Sequence, residues 1–499
     1  MSTYRGLESR FARLNALSEA AGVLHWDMST MMPPGGAAAR AEQLASLKVT
    51  AHELLTHPAL GELLDRASGE AKTLSPWQQA NLREMRRAWL GATALPADLV
   101  AALSKACSAS ETIWRKAWPE GDFKLLLPSL TEVLNLTRQK ARARGEKLGL
   151  SDYDALLDQY EPGARAERID ALFEGLGKFL LGFVERVLAA QAARPQPVAL
   201  EGPFPADRQR ALGLKLMTAL GFDFEHGRLD ESAHPFTGGV PDDVRITTRY
   251  DAADFTRGLM GVLHETGHAL YERGLPKEWR RQPVGEARGM ALHESQSLLM
   301  EMQTCRSRAF VEYAAPLMRE AFDGSGPAWS ADNIHRIYTR VERGYIRVDA
   351  DEATYPAHII LRYRLERALI ADDLRLADLP GAWADGMRAL LGIVPPDDRL
   401  GCLQDIHWPD GAWGYFPTYT LGALAAAQLF AAAKKADSDI APGIARGDFR
   451  PLLAWLRTNV HEKGSLLSTD ELLTQATGAP LSDAAFKAHL NARYLDGKG

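Results

Sequence analysis

The sequence contains few cysteines and no long apolar run. Its three cysteines, Cys107, Cys305 and Cys402, are far apart and form no Cys-x-x-Cys pair. Scattered cysteines in an odd number exclude a disulfide framework and a thiolate zinc site, so we predict three buried apolar side chains. No stretch approaches the roughly 18 uninterrupted apolar residues of a membrane helix, and residues 1–8 contain no apolar signal core. We therefore expect a cytoplasmic protein with no membrane partner.

An excess of one charge is also missing. The chain has 58 basic and 64 acidic side chains, which are interspersed and give a formal charge of -6 at pH 7. This balance argues against nucleic acid or an anionic membrane surface as the main partner. A chain of 499 residues with 46% hydrophobic content can bury a large core, and its length alone would allow about three domains.

Strand-like alternation is nearly absent from the first 200 residues. Apolar positions from Leu7 to Leu24 recur every three or four residues, which predicts an amphipathic helix, and residues 31–36 interrupt it with prolines and glycines. A second helical run extends to about residue 67. Further helices are predicted near residues 76–92, 97–118, 127–148 and 166–193.

The pattern changes in the middle of the chain. Residues 243–250 alternate in polarity and predict a strand with Val244, Ile246 and Tyr250 on one face. A helix follows, with Asp251 as its expected N-cap and a stop at Gly274. The sequence thus predicts a small sheet that precedes one particular helix.

That helix carries a His-Glu-Thr-Gly-His motif at residues 264–268. Residues four apart on a helix lie on one face, so His264 and His268 can both reach one metal ion. Glu265 projects to the side, where its carboxylate can take a proton from a metal-bound water. The alternative is a chance motif on a solvated helix face. The apolar residues around it favour a real, packed helix.

Glu294 is the best candidate for a third ligand. It falls on the apolar stripe of a second helix, where an unpaired carboxylate would be costly unless it is neutralised, hydrogen-bonded or bound to a metal. Glu286 is a weaker rival because it lies in a glycine-flanked stretch before that helix. His293 could orient a ligand or be an ordinary polar residue. Two histidines and one glutamate leave an open position for water, which is typical of a catalytic zinc.

The last third is again mostly helical. An irregular stretch at residues 345–351 contains Arg347, and a loop-like span at residues 395–420 concentrates polar and aromatic side chains, His407 and Tyr419 among them. Loops on a helical scaffold often carry binding residues, although an aromatic plug of the core would explain the tryptophans of this span equally well.

Six short motifs stand in order along the chain: His234-Pro235-Phe236, Asp243-x-Arg245-x-Thr247, His264-Glu265-x-x-His268, His293-Glu294-Ser295-Gln296, Ile346-Arg347-x-x-Ala350-Asp351 and Gly401-x-x-Gln404-Asp405-x-His407-Trp408. With this set the sequence resembles the Taq-type thermostable carboxypeptidase family of zinc metallocarboxypeptidases. The resemblance extends over nearly the whole chain. It implies a mainly α fold, a helical groove with two sides, a small β-sheet beside the motif helix, and a homodimer.

The resemblance also implies roles for individual residues. His264, His268 and Glu294 would bind the metal, Glu265 would be the catalytic carboxylate, and Arg347 would hold the C-terminal carboxylate of the substrate. His234, Arg245, His407 and Tyr419 would be further substrate-binding residues. We expect one catalytic domain over residues 1–499, in which residues 1–200 line the groove and residues 201–499 carry the metal.

The expected activity is release of single amino acids from peptides with a free C-terminus. It would use one Zn²⁺ per chain, for which Co²⁺ can substitute, and a glutamate general base. The alternatives are a zinc endopeptidase, a dipeptidyl carboxypeptidase, or an inactive helical interaction scaffold.

Overall fold

Helices make up most of the fold. The computed structural model describes residues 3–497, and nine helices precede the sheet: α1 (Thr3–Thr30), α2 (Ala37–Thr56), α3 (Pro58–Gly69), α4 (Pro76–Thr93), α5 (Ala97–Glu120), α6 (Phe123–Leu148), α7 (Asp152–Leu157), α8 (Ala166–Ala192) and α9 (Ala206–Leu220). The mainly α fold class is confirmed.

The helical run predicted up to residue 67 is two helices instead of one. Pro58 has no backbone N–H and disfavours a helical residue before it, so α2 ends at Thr56 and α3 begins at Pro58. His57 caps the new helix, because its side chain accepts a hydrogen bond from the backbone N–H of Ala59 at 3.2 Å.

The predicted small sheet is present and has three strands, β1 (Gly227–Glu231), β2 (Phe236–Val240) and β3 (Asp243–Thr248). Their order is β1-β3-β2, with β1 parallel and β2 antiparallel to β3. Val244 and Ile246 are buried on one face, as their alternation predicts, and pack with Val262. Tyr250 lies beyond the end of the strand. The sheet therefore rests on the helix that carries the motif.

The rest of the chain is helical. The elements are α10 (Phe255–Gly274), α11 (Met290–Leu298), a π-helix (Leu299–Cys305), α12 (Arg308–Ala321), α13 (Ala331–Tyr338), α14 (Tyr355–Ala371), α15 (Leu379–Leu391), α16 (Pro417–Ala436), α17 (Ile440–Ala445), α18 (Arg450–Asn459), α19 (Thr469–Thr477), α20 (Ala484–Leu490) and a second π-helix (Asn491–Leu495). Tyr419 lies on α16 and not in a loop as the sequence suggested. Cys305 and Cys402 are buried as expected, whereas Cys107 is only partly buried.

Two hydrophobic cores separate the first helices from the others. Side chains between Tyr4 and Met85, from α1, α3 and α4, form a small cluster of their own. The large core begins at Ala117 in α5 and continues to Tyr494, so α5 to α8 pack with the second half of the chain. Among the described residues no single helix has the length and apolarity to cross a membrane, although the bent pair α4 and α5 meets that test by composition.

Candidate metal centre

The motif helix α10 begins at Asp254, whose side chain accepts a hydrogen bond from the backbone N–H of Thr256 at 2.8 Å. The N-cap is therefore Asp254 and not Asp251, which instead accepts a hydrogen bond from Ala253 in the preceding turn. The helix ends at Gly274, as predicted. Its buried apolar face, which includes Leu259 and Leu263, fixes the side of the helix on which the histidines project.

Gly267 allows α10 and α11 to cross closely inside the motif. A Cβ atom on Gly267 would lie 2.4 Å from the backbone oxygen of Gln296, which is far inside van der Waals contact. Gly422 has the same effect on the other side of α11, where an added Cβ would lie 2.8 Å from the Cβ of Glu294. These two glycines bring α10 and α16 against the helix that carries Glu294.

The structure brings His264, His268 and Glu294 together. One ligand atom from each of the three lies within 4.8 Å of the others. The Oε2 atom of Glu294 is 3.4 Å from Nε2 of His268 and 4.0 Å from Nε2 of His264. Glu286, the rival candidate, is not part of this cluster.

The donor set fits a divalent metal ion. Ligands about 2.0–2.2 Å from a tetrahedral zinc ion are roughly 3.4 Å apart, which is close to the two distances at Glu294. Burial alone would raise the pKa of Glu294, but the hydrogen bond from His268 and the charge of His264 lower that pKa to about 2. Glu294 is therefore ionised, as a metal ligand must be.

Glu301 orients His264 from behind. Nδ1 of His264 lies 2.9 Å from Oε2 of Glu301, and Nη2 of Arg306 donates to the other oxygen of that carboxylate at 2.6 Å. The contact leaves Nε2 of His264 directed at the cluster. Glu301 lies on the π-helix, seven residues after Glu294 and thus near the same helical face.

His293 orients the second ligand in the same way. Its Nδ1 atom lies 2.7 Å from Nδ1 of His268, and its Nε2 atom lies 2.7 Å from Oε1 of Glu272. When the Glu272 carboxylate accepts a hydrogen bond from Nε2–H of His293, Nδ1 of His293 is left to accept a hydrogen bond from the N–H of His268. This chain of contacts fixes the ring and the tautomer of His268.

Glu265 lies beside the three ligands and not among them. Its side chain is 8% exposed, and its Oε2 atom accepts a hydrogen bond from the Thr237 hydroxyl at 2.7 Å. Thr237 belongs to β2, so the small sheet holds the Glu265 carboxylate in place. Sequence reasoning gave the sheet no such role.

Arg347 is buried in an ion cluster. Its Nε and Nη2 atoms are each 2.9 Å from Oδ1 of Asp405, and Arg362 binds the other oxygen of Asp405. Burial alone would raise the pKa of Asp405, but the two arginines lower it below its ordinary range. The Nη1 atom of Arg347 is 3.3 Å from the Tyr355 hydroxyl. Asp405 therefore fixes one edge of the guanidinium and leaves the Nη1 side with a single long contact.

Aromatic side chains connect Arg347 to the metal cluster. The Arg347 guanidinium lies 5.0 Å from the centre of the Tyr419 ring, and the Tyr419 hydroxyl is 3.1 Å from Nε2 of His407. Tyr419 precedes Gly422, which packs on Glu294, by one turn of α16. Burial, followed by the charge of Glu294, raises the pKa of Tyr419 to about 12, while Arg347 lowers it. These phenol and imidazole groups thus line the space beside Glu294.

Arg245 and His234 have other surroundings. The Arg245 guanidinium pairs with Asp243 at 2.6 Å and lies 4.4 Å from the centre of the Trp26 ring on α1. His234 is exposed in the connection between β1 and β2. Its imidazole has no hydrogen-bond partner within residues 3–497. Their predicted roles in substrate binding stay predictions.

Several supporting residues escaped the sequence reasoning. Glu272 follows His268 by four residues and Glu301 follows Glu294 by seven, so helical spacing could have identified both. Tyr355 and Arg362 carry no such local signal. Their position depends on how α14 packs against residues far away in the sequence.

Comparison with known proteins identifies the family of the chain. A family model described as carboxypeptidase Taq (M32) metallopeptidase matches residues 6–494. Thermostable carboxypeptidase 1 of Thermus thermophilus is 42% identical over 495 residues, which are 97% of this chain and 97% of that protein. Carboxypeptidase 1 of Bacillus subtilis is 33% identical over 484 residues, which are 97% of this chain and 94% of that protein.

Solved structures extend the similarity to the whole fold. Metallocarboxypeptidase 1 of Trypanosoma cruzi has a TM-score of 0.97 at 40% identity and covers 99% of this chain and 100% of that chain. A Pyrococcus furiosus carboxypeptidase structure, titled Apo-Mg, has a TM-score of 0.94 at 34% identity and covers 99% of each chain.

Proposed function

The chain belongs to the carboxypeptidase Taq (M32) metallopeptidase family and is a metallocarboxypeptidase; on this premise we propose that it releases single amino acids from peptides with a free C-terminus, using a zinc ion and Glu265 as general base. The observation that carries the proposal is the cluster of His264, His268 and Glu294 with the Glu265 carboxylate beside it. The family implies a divalent metal, and the choice of zinc belongs to the proposal.

Zinc fits the donor set of two imidazoles and one carboxylate, at one ion per chain. Cobalt can substitute, because such a set discriminates weakly between neighbouring divalent ions. A bound ion supplies Lewis acidity, which polarises the scissile carbonyl and makes water acidic enough to lose a proton near neutral pH.

Glu265 accepts that proton from the attacking water. Its Oε2 atom is engaged by the Thr237 hydroxyl, which leaves Oε1 as the acceptor. The same carboxyl group then passes the proton to the leaving amine, because the leaving group must be neutral before it departs. Thr237 holds the carboxylate within reach of both positions.

Arg347 receives the substrate C-terminal carboxylate. A planar guanidinium with fixed geometry matches a carboxylate better than an ammonium does. Asp405 and Arg362 hold the group rigidly, so little side-chain entropy is lost on binding. Tyr419 and His407 line the space between this carboxylate and the scissile bond.

Three wider expectations also belong to the proposal. The protein acts in the cytoplasm as a homodimer, and residues 1–499 form one catalytic domain. The composition supports a peptide as the partner in preference to nucleic acid, because the formal charge is -6 with mixed signs.

Two substitutions test the division of roles between carboxylates. Glu265→Gln should keep the metal and lose several orders of magnitude in kcat, since an isosteric amide cannot accept the proton. Glu294→Gln should weaken metal affinity. Metal content by elemental analysis and kcat on a free-acid peptide measure both effects. Loss of metal in Glu265→Gln with retention in Glu294→Gln would reverse the assignment.

A further inference from the structure

A small cavity away from the metal cluster is lined by arginines. It lies between the end of α8, the end of α13 and the second π-helix, and has a volume of about 50 Å³. Four of its lining residues are Arg194, Arg336, Arg340 and Arg493. Arg493 is 3% exposed and belongs to its floor, while Arg194 and Arg340 are exposed and belong to its rim.

Two of these arginines have buried donors without an acceptor. The Nε atoms of Arg336 and Arg493 are buried and find no hydrogen-bond partner among residues 3–497. Within the same residues the guanidinium of Arg336 forms no ion pair. A buried N–H group without a partner costs roughly 1–3 kcal/mol, so such groups normally meet water or a ligand.

The floor of the cavity is fixed in place. Nη1 of Arg493 donates to the Glu352 carboxylate at 2.9 Å and to the backbone oxygen of Met302 at 2.6 Å. These contacts hold the guanidinium, and its Nε atom with it. The donor therefore has a set position before any ligand arrives, which lowers the entropy cost of binding.

Two of the four arginines around the cavity have no carboxylate partner within residues 3–497. Arg194 donates to the backbone oxygens of Tyr494 and Leu495, at 3.2 and 3.1 Å, and meets no carboxylate of residues 3–497. Arg340 pairs with Glu342 and Arg493 with Glu352, which leaves the charges of Arg194 and Arg336 uncompensated. Arginines often donate to the last carbonyl groups of a helix, which explains the position of Arg194. The same explanation does not apply to Arg336, because its guanidinium reaches no carbonyl of the described residues.

His335, which precedes Arg336 in α13, is affected by two nearby arginines. Burial, followed by the positive charges of Arg493 and Arg308, lowers the pKa of His335 to about 4. His335 is thus neutral at physiological pH and adds no positive charge.

We propose that this cavity binds one small tetrahedral oxyanion, of the phosphate or sulfate type, between Arg336, Arg493 and Arg194. Oxyanions accept several hydrogen bonds at once, which suits a cavity that several guanidinium groups line. The site is separate from the proposed peptidase centre, so the two proposals stand or fall independently.

Calorimetry on the full-length, metal-loaded enzyme tests the site. Sodium phosphate and, separately, sodium sulfate are titrated at an ionic strength held constant with KCl. We expect saturable binding of one ion per chain. Arg336→Gln should weaken that binding by roughly tenfold or more, because charge-assisted hydrogen bonds to the anion are lost. The control is Arg450→Gln, at a guanidinium that is 89% exposed and paired with Asp448, and it should bind as the unchanged enzyme does.

Three results would overturn the site. The first is the absence of saturable binding to the unchanged enzyme. The second is an affinity equal to that of the unchanged enzyme in both Arg336→Gln and Arg194→Gln, and the use of two variants guards against misfolding of either one. The third is binding that disappears when the metal is removed but persists in Arg336→Gln, because the anion would then occupy the metal centre.

Discussion

At the residue scale, the proposed contact between Arg347 and the substrate carboxylate explains why we expect the enzyme to require a free C-terminus. Arg347→Ala should raise KM and lower kcat/KM for free-acid peptides. The expected loss of transition-state stabilisation is about 2–4 kcal/mol, because a desolvated carboxylate loses its partner. The loss should largely vanish on C-terminally amidated peptides, which should already be poor substrates of the unchanged enzyme. Steady-state kinetics on matched acid and amide peptides measure the difference.

Arg347→Lys provides the control for that substitution. It keeps the positive charge but not the planar fork, so its activity should lie between those of the unchanged enzyme and Arg347→Ala. An Arg347→Ala enzyme with unchanged preference for free acids would remove Arg347 from carboxylate recognition.

The residues behind the ligands give a second prediction at this scale. Glu301→Gln and Glu272→Gln should each lower metal affinity by roughly 10- to 100-fold, because the partners that orient His264 and His293 lose their charge. Competition with a chelator measures the affinity. Glu312→Gln is the matched control, since that carboxylate is half-exposed and pairs with Arg308. Unchanged affinity in both Glu301→Gln and Glu272→Gln would show that these contacts do not tune the site.

At the element scale, the close crossing of α10 and α11 can be tested with two glycines of one helix. Gly267→Ala places a methyl group 2.4 Å from a backbone oxygen of α11, so the helices must separate. We expect a loss of about 1–3 kcal/mol in the free energy of unfolding, with weaker metal binding.

Gly261 is the control on the same helix, because an added Cβ there meets no atom within 4 Å. Gly261→Ala should be neutral or should stabilise the protein by up to about 1 kcal/mol through helix propensity. Chemical denaturation of both variants gives the comparison. If the two substitutions had equal effects, the close approach at Gly267 would not matter.

Elements with a strong local signal were predictable from sequence. The helix of the motif and the strand at Val244 and Ile246 follow from periodicity, and the grouping of Glu294 with His264 and His268 follows from the cost of an unpaired charge. The role of Glu294 as a metal ligand stays a prediction. The predicted start of a helix was wrong where a single residue determines it. The N-cap is Asp254 and not the predicted Asp251. Backbone geometry determines which side chain reaches the first free N–H groups of a helix.

Tertiary contacts were beyond that reasoning. The hydrogen bond from Thr237 to Glu265, and the pairing of Arg347 with Asp405 and Arg362, join elements far apart in the sequence. No periodicity encodes which two distant polar groups meet. Such contacts follow only from the way helices and sheet pack.

At the scale of the whole molecule, the site joins elements of the large core with the small sheet, which packs against α10 in a separate cluster. The cluster of His264, His268 and Glu294 comes from α10 and α11, the Glu265 carboxylate contacts β2, and Arg347 is held by the loop before α16. The helices α1, α3 and α4 pack in a core of their own. Under the proposed function, the metal chemistry and the recognition of the substrate carboxylate both belong to this packed body of helices and sheet.

The central claim is that this body removes single residues from free C-termini with a bound divalent metal. The most direct measurement is mass spectrometry of the products from matched free-acid and amidated peptides, with zinc-loaded enzyme and with enzyme treated with a chelator. We expect a ladder of products shortened by one residue at a time from the free acid only, abolished by the chelator and restored by zinc. Internal cleavage, release of dipeptides, equal cleavage of the amide, or full activity without metal would contradict the account.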